Sequence, residues 1–145
     1  MYRRDYILRL IERFGRMLIA LRNRILRREI EAADVLAELR DIAQQAGLDL
    51  ELARRLDPAM LVLWLAPTDD VDEPKLWLMA ELLYLEGLHA RSQVGGDARG
   101  DFARALSIFE RLPPEWRPSD DLAAAGERVA ELRRLLETDS GPGGV

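Results

Sequence analysis

Apolar residues recur at three- and four-residue steps along most of this chain, a spacing that predicts helices. Over residues 5–28 the stripe runs Ile7, Leu10, Ile11, Phe14, Met17, Leu18, Leu21 and Ile25. A second strip, Leu8, Ile19 and Leu26, lies off it, and that extra width predicts burial on two sides. Gly15 is expected on the polar side, where it costs about 1 kcal/mol of helix propensity. The pattern weakens over residues 22–29, so a turn or kink is expected there.

Residues 30–46 predict a second helix with Ala33, Leu36, Leu39, Ile42, Ala43 and Ala46 inward and Gly47 as its terminator. Asp49 reads as the cap of a short helix to Leu56. Asp57-Pro58 opens another, cap followed by proline at the first helical position. Its run over 59–65, AMLVLWL, is apolar on all sides and is expected in the core. Residues 67–73 form an acidic loop. A long helix follows over 74–93, with Leu76, Met79, Leu82, Leu83, Leu85 and Leu88 apolar, and Val94-Gly95-Gly96 breaks it. Asp97 caps the next helix, which carries Phe102, Ala105, Leu106 and Phe109 and runs to Leu112 before Pro113-Pro114 stops it. Ser119, with Asp120 and Asp121 in the first turn, opens the last helix, its inward set Leu122, Ala125, Val129, Leu132 and Leu136. Residues 140–145 read as a flexible tail. No segment alternates as a strand would. The expectation is an all-α domain over 1–139, with five long helices and one or two short ones in antiparallel hairpins or a bundle.

Composition narrows the chemistry. The chain has 145 residues, one histidine and no cysteine, so thiol catalysis, disulfides and cysteine-based zinc sites are excluded. Arginines interrupt the first helix, which leaves neither a signal-peptide centre nor a membrane span, and the chain reads as cytoplasmic. Net charge is −5 but uneven. Residues 1–28 hold nine arginines against Asp5 and Glu12, a formal +7, while 29–145 hold twelve basic and twenty-four acidic residues, a formal −12. A basic block on an acidic body points to internal docking or to an anionic partner.

The segment Leu82 to Pro114, LLYLEGLHARSQVGGDARGDFARALSIFERLPP, resembles one tetratricopeptide repeat through Gly87, a Gln93 to Asp97 turn, and Phe102 with Ala105-Leu106. It departs from the pattern at Ala90, where an aromatic is expected, in the turn spacing, and in the late Pro113. The opening Asp5-Tyr6-Ile7-x-Arg9-x-Ile11-Glu12, followed by that hairpin, is similar to an uncharacterised family of small bacterial helical proteins. The resemblance implies a bacterial source and supplies no catalytic residues.

Candidate chemistry is sparse. Asp69, Asp70, Asp72 and Glu73 lack the ligand spacing and glycine of a calcium loop and read as caps and solvated loop. His89 stands near no nucleophile motif, and Arg99-Gly100-Asp101 falls within a helix. Trp64 and Trp77 are expected in the core or on a groove lip, and Trp116 partly exposed. No metal, cofactor or catalytic residue is assigned. The expected function is a non-catalytic protein–protein interaction module that forms a homodimer through the first helix. Ile7, Leu10, Ile11, Phe14, Met17, Leu18 and Leu21 would form the interface, with Arg9, Arg13 and Arg16 at its rim. Internal packing of the same helix on the domain is the bland counterpart of that reading. The alternative from another class is a peripheral membrane adaptor that lays this helix on a lipid surface. Nucleic acid is not expected, because the arginines are interleaved with apolar residues and the body is acidic.

Overall fold

The helix Glu73–Ser92 decides how the rest of the chain is arranged. Asp72 caps it by accepting from the Lys75 amide at 3.2 Å, with Pro74 inside the first turn. Every side chain from Leu76 to Leu88 is buried, Trp77, Leu78, Ala80 and Tyr84 as well as the leucines of the expected stripe. A helix that is apolar on all sides has to be surrounded.

The computed structural model describes residues 2–29, 31–93, 96 and 98–139, and among them the regular elements are all α-helices. In chain order these are α1 (Tyr2–Leu26), α2 (Ala32–Gln45), α3 (Leu50–Arg55), α4 (Pro58–Leu65), α5 (Glu73–Ser92), α6 (Arg99–Phe109) and α7 (Ala125–Asp139). Five are long and two short, as the periodicity predicts. The expected Asp97 cap and the 140–145 tail lie outside the described residues. α1, α2, α3 and α6 pack directly on α5, while α4 and α7 pack on α6. One contiguous core joins them.

Local chemistry accounts for the joints. α1 closes with Arg28 in the left-handed region at φ 56, its amide bonded to Ile25 O and the Glu29 amide to Arg24 O. Gly47, at φ 71, ends α2 as expected. Asp49 and Asp57 cap α3 and α4 by accepting from the amides of Leu52 at 3.0 Å and Met60 at 2.8 Å. Between α5 and α6 the contact is closest at Gly87, where a Cβ would stand 2.5 Å from the Phe102 ring. Glycine there lets the two backbones approach.

Three expectations need correction. The last helix starts at Ala125, not Ser119. Residues 119–124 form a turn that draws Leu122 into the core beside Gly15, and the Ala123 carbonyl accepts from Trp77 Nε1 at 3.0 Å. The first amides of α7 are satisfied instead by loop carbonyls, Ala125 N by Trp116 O and Gly126 N by Pro114 O. Gly15 is accordingly buried rather than polar-facing. Finally, α4 is not a core helix: Leu61 and Leu65 are buried, but Met60, Leu63 and Trp64 are exposed.

Candidate functional site

The proposed interface residues of α1 are core residues of the chain itself. Ile7, Leu10, Ile11, Phe14, Leu18 and Leu21 are all buried, most of them completely. The reason is α5, whose all-round apolar surface needs a wall that α1 supplies. Covered side chains cannot also face a second copy, so their assignment to a dimer interface is corrected. Met17 alone of the apolar set is exposed, at 40%. Arg9, Arg13 and Arg16 are exposed too, Arg13 lying 5.8 Å from the centre of the Phe14 ring. The second strip is not buried against a further partner within the chain: Leu8 is half-buried, and Ile19 and Leu26 are exposed.

Beneath α1 lies a polar cluster that no sequence motif announces. Arg22 donates from Nε to the Tyr84 hydroxyl at 2.7 Å and from Nη2 to Glu131 Oε2 at 3.4 Å. The Tyr84 hydroxyl in turn donates to Glu131. Arg128 holds Glu81 with two bonds, Nε to Oε1 at 2.8 Å and Nη2 to Oε2 at 2.7 Å, and reaches Glu131 Oε1 at 3.2 Å. Its guanidinium also stacks 4.4 Å from the centre of the Tyr84 ring. Two arginines and two glutamates thus tie α1, α5 and α7 together with no residual charge.

The electrostatics hold Tyr84, Arg128 and Arg22 in their ordinary charge states. Burial raises the Tyr84 pKa, offset in part by Arg128 and reinforced by the hydrogen bond to Glu131, so the phenol stays protonated. Burial alone would lower the Arg128 pKa, but attraction and hydrogen bonding to Glu81 outweigh it and the net shift is upward. Arg22 behaves likewise, burial being outweighed by Tyr84 and Glu131. A cleft of about 330 Å³ opens above this cluster, lined in part by Arg22, Asn23, Glu81, Arg117, Asp120 and Arg128. Arg117 at its mouth pairs with Glu127 at 3.1 Å.

A second cluster fastens α3. Arg54 pairs with Asp101 through Nε at 3.0 Å and with Glu86 Oε1 through Nη1 at 3.0 Å. Arg104 donates to the Leu56 carbonyl at 2.6 Å and lies 3.9 Å from Asp101. Asp101, last residue of the Arg-Gly-Asp tripeptide, is therefore buried in an ion-pair network. Glu86 Oε2 is buried without a hydrogen-bond partner among the described residues. Burial raises the Glu86 pKa more than Arg54 lowers it, and Asp101 adds to the rise.

The remaining candidates fall into place. His89 is buried, and burial lowers its pKa. Asp69 and Asp70 are exposed, whereas Asp72 is spent on its cap. Among the described residues no group of three His, Asp or Glu side chains is placed to hold a metal. Trp77 is buried and Trp116 half-buried, whereas Trp64 stands out from the surface. Among the described residues no helix is long and apolar enough to cross a membrane.

The sequence reading missed the polar clusters and the exposed face of α4. The signal for the first was present: Glu81 and Glu86 interrupt a helix that is otherwise apolar on every side, and a carboxylate in such a place needs a cation. Comparison with known protein families, with characterised proteins and with solved structures finds no match to this chain.

Proposed function

We propose that this chain is a non-catalytic, cytoplasmic protein-interaction module, built on a tetratricopeptide-like hairpin of α5 and α6, that self-associates through the outward face of α4. The observation that carries this reading is the trio Met60, Leu63 and Trp64, exposed at 52%, 62% and 45%. Positions i, i+3 and i+4 share one side of a helix, so the three form a single apolar face. Leu61 and Leu65 hold the opposite side of α4 in the core, and an apolar face left outside it marks an interaction surface. Gly87 against Phe102, with Ala105 buried nearby, supports the hairpin. The non-catalytic part rests on the cleft over α5, whose arginines and glutamates are committed to one another.

Charge around α4 favours a second copy as the occupant. A stable interface buries roughly 800 Å² per partner, so the polar flanks must join the three apolar side chains. Arg55 precedes α4, and Asp69 and Asp70 follow it at a similar remove from its centre. All three are exposed, and none has an ion-pair partner among the described residues. Two copies of α4 crossing antiparallel about a two-fold axis set the basic end of each against the acidic end of the other, an arrangement that favours pairing of Arg55 with Asp69 and Asp70. Light scattering over a range of concentrations tests the proposal. The parent chain is expected to be a dimer and Leu63→Glu a monomer with unchanged helix content; a parent that stays monomeric throughout overturns it.

A further inference from the structure

The outward side of α1 carries a line of arginine. Arg9, Arg13 and Arg16 are spaced by four and three residues, which puts them on nearly the same face of a helix with 3.6 residues per turn, and Arg27 follows just past the end of α1. All four are exposed, and none pairs with a carboxylate among the described residues. Arg24 beside them has Glu38 at 3.7 Å. The opposite side of the helix is locked into the core by Ile7, Ile11 and Leu18, so the ridge is fixed facing out.

This ridge is not purely polar. Met17 lies one turn from Arg13 on the same face, and Tyr6 lies one turn before Arg9; both are exposed. Ile19 and Leu26, also exposed, border the arginines on the other edge. Guanidinium groups suit phosphate and carboxylate headgroups, and interleaved apolar side chains suit the boundary beneath them. A nucleic-acid backbone offers those apolar side chains nothing, and a duplex would extend past the ridge onto the acidic body. On a membrane the body points away, and screening over about 8 Å in physiological salt limits its repulsion.

We infer that α1 docks this protein on anionic lipid surfaces with its arginine ridge down, as a peripheral contact. This surface is separate from the α4 face and does not depend on it. The test is flotation of the full chain with phosphatidylcholine vesicles, with and without phosphatidylglycerol. The parent is expected to float with the anionic vesicles only and to be released by salt. Arg9→Gln/Arg13→Gln/Arg16→Gln removes exposed charges, so it should fold and melt as the parent does while partitioning roughly a hundred-fold less. The matching triple lysine variant should retain most of the binding, and Met17→Ser/Ile19→Ser should weaken it. Absence of flotation, equal flotation with neutral vesicles, an undiminished triple glutamine variant, or tighter retention on duplex DNA than on vesicles would each overturn the inference.

Discussion

Arg128 on α7 holds Glu81 on α5 with two hydrogen bonds of 2.8 and 2.7 Å, and both side chains are buried. Removing one partner leaves the other as an uncompensated buried charge, which costs about 3–5 kcal/mol. Arg128→Met should therefore lower the urea midpoint sharply, since Glu81 has no second cation within hydrogen-bond reach among the described residues. Arg128→Met/Glu81→Leu should recover much of the loss, because an apolar pair can fill the same space. A double variant that loses as much as the two single variants together would show that the pair is not the source of the effect.

Gly87 and Phe102 set the spacing of α5 and α6. A methyl group at Gly87 would stand 2.5 Å from the Phe102 ring, inside contact distance. Gly87→Ala is expected to cost about 1–3 kcal/mol through overpacking, measured by chemical denaturation. Shrinking the neighbour with Phe102→Leu should make the alanine less harmful than it is in the parent background.

The buried stripe of α1 separates a core helix from an interface helix. Phe14→Glu/Leu18→Glu places two carboxylates in the space against α5 and should abolish cooperative thermal unfolding and reduce helix content. A true interface pair would instead give a well-folded monomer. Circular dichroism distinguishes the two outcomes directly.

That contrast also marks how far the sequence could be read. The five long helices and the short ones between them, the caps at Asp49 and Asp57, and the glycine at Gly47 follow from local rules, because each is set by neighbours in the chain. The destination of the α1 stripe is not local. It depends on α5, and the apolar width of α5 was visible in Trp77, Leu78 and Tyr84 alongside its leucines. Without that partner, α1 carries a wider apolar surface than one contact needs. The late start of α7 has a similar origin, since only the tertiary pull on Leu122 converts a capped helical start into a turn. On α4, an all-apolar run looked like core because eight residues cannot reveal which side the protein leaves uncovered.

Glu86 gives a pH dependence with a definite sign. Its Oε1 meets Arg54 at 3.0 Å, yet burial dominates and holds its pKa above the ordinary value of 4.5. A carboxyl that keeps its proton more tightly in the folded chain makes the folded state the better proton binder between the two pKa values. Stability from this group is therefore lost as pH rises through that window. Compared with Glu86→Gln, which cannot titrate, the parent should lose ground as pH is raised above about 4.5. A difference that moves the other way would mean that Arg54 governs the site.

The central claim is that the chain meets its own copy through α4 and not through the stripe of α1. Having no cysteine, it can take single probes on a clean background. Leu63→Cys and Arg13→Cys place one thiol each on the exposed faces of α4 and α1. Under mild oxidation, Leu63→Cys is predicted to form a disulfide-linked dimer rapidly and at low protein concentration, with Arg13→Cys far slower. Equal rates for the two, or faster coupling through Arg13→Cys, would contradict the account.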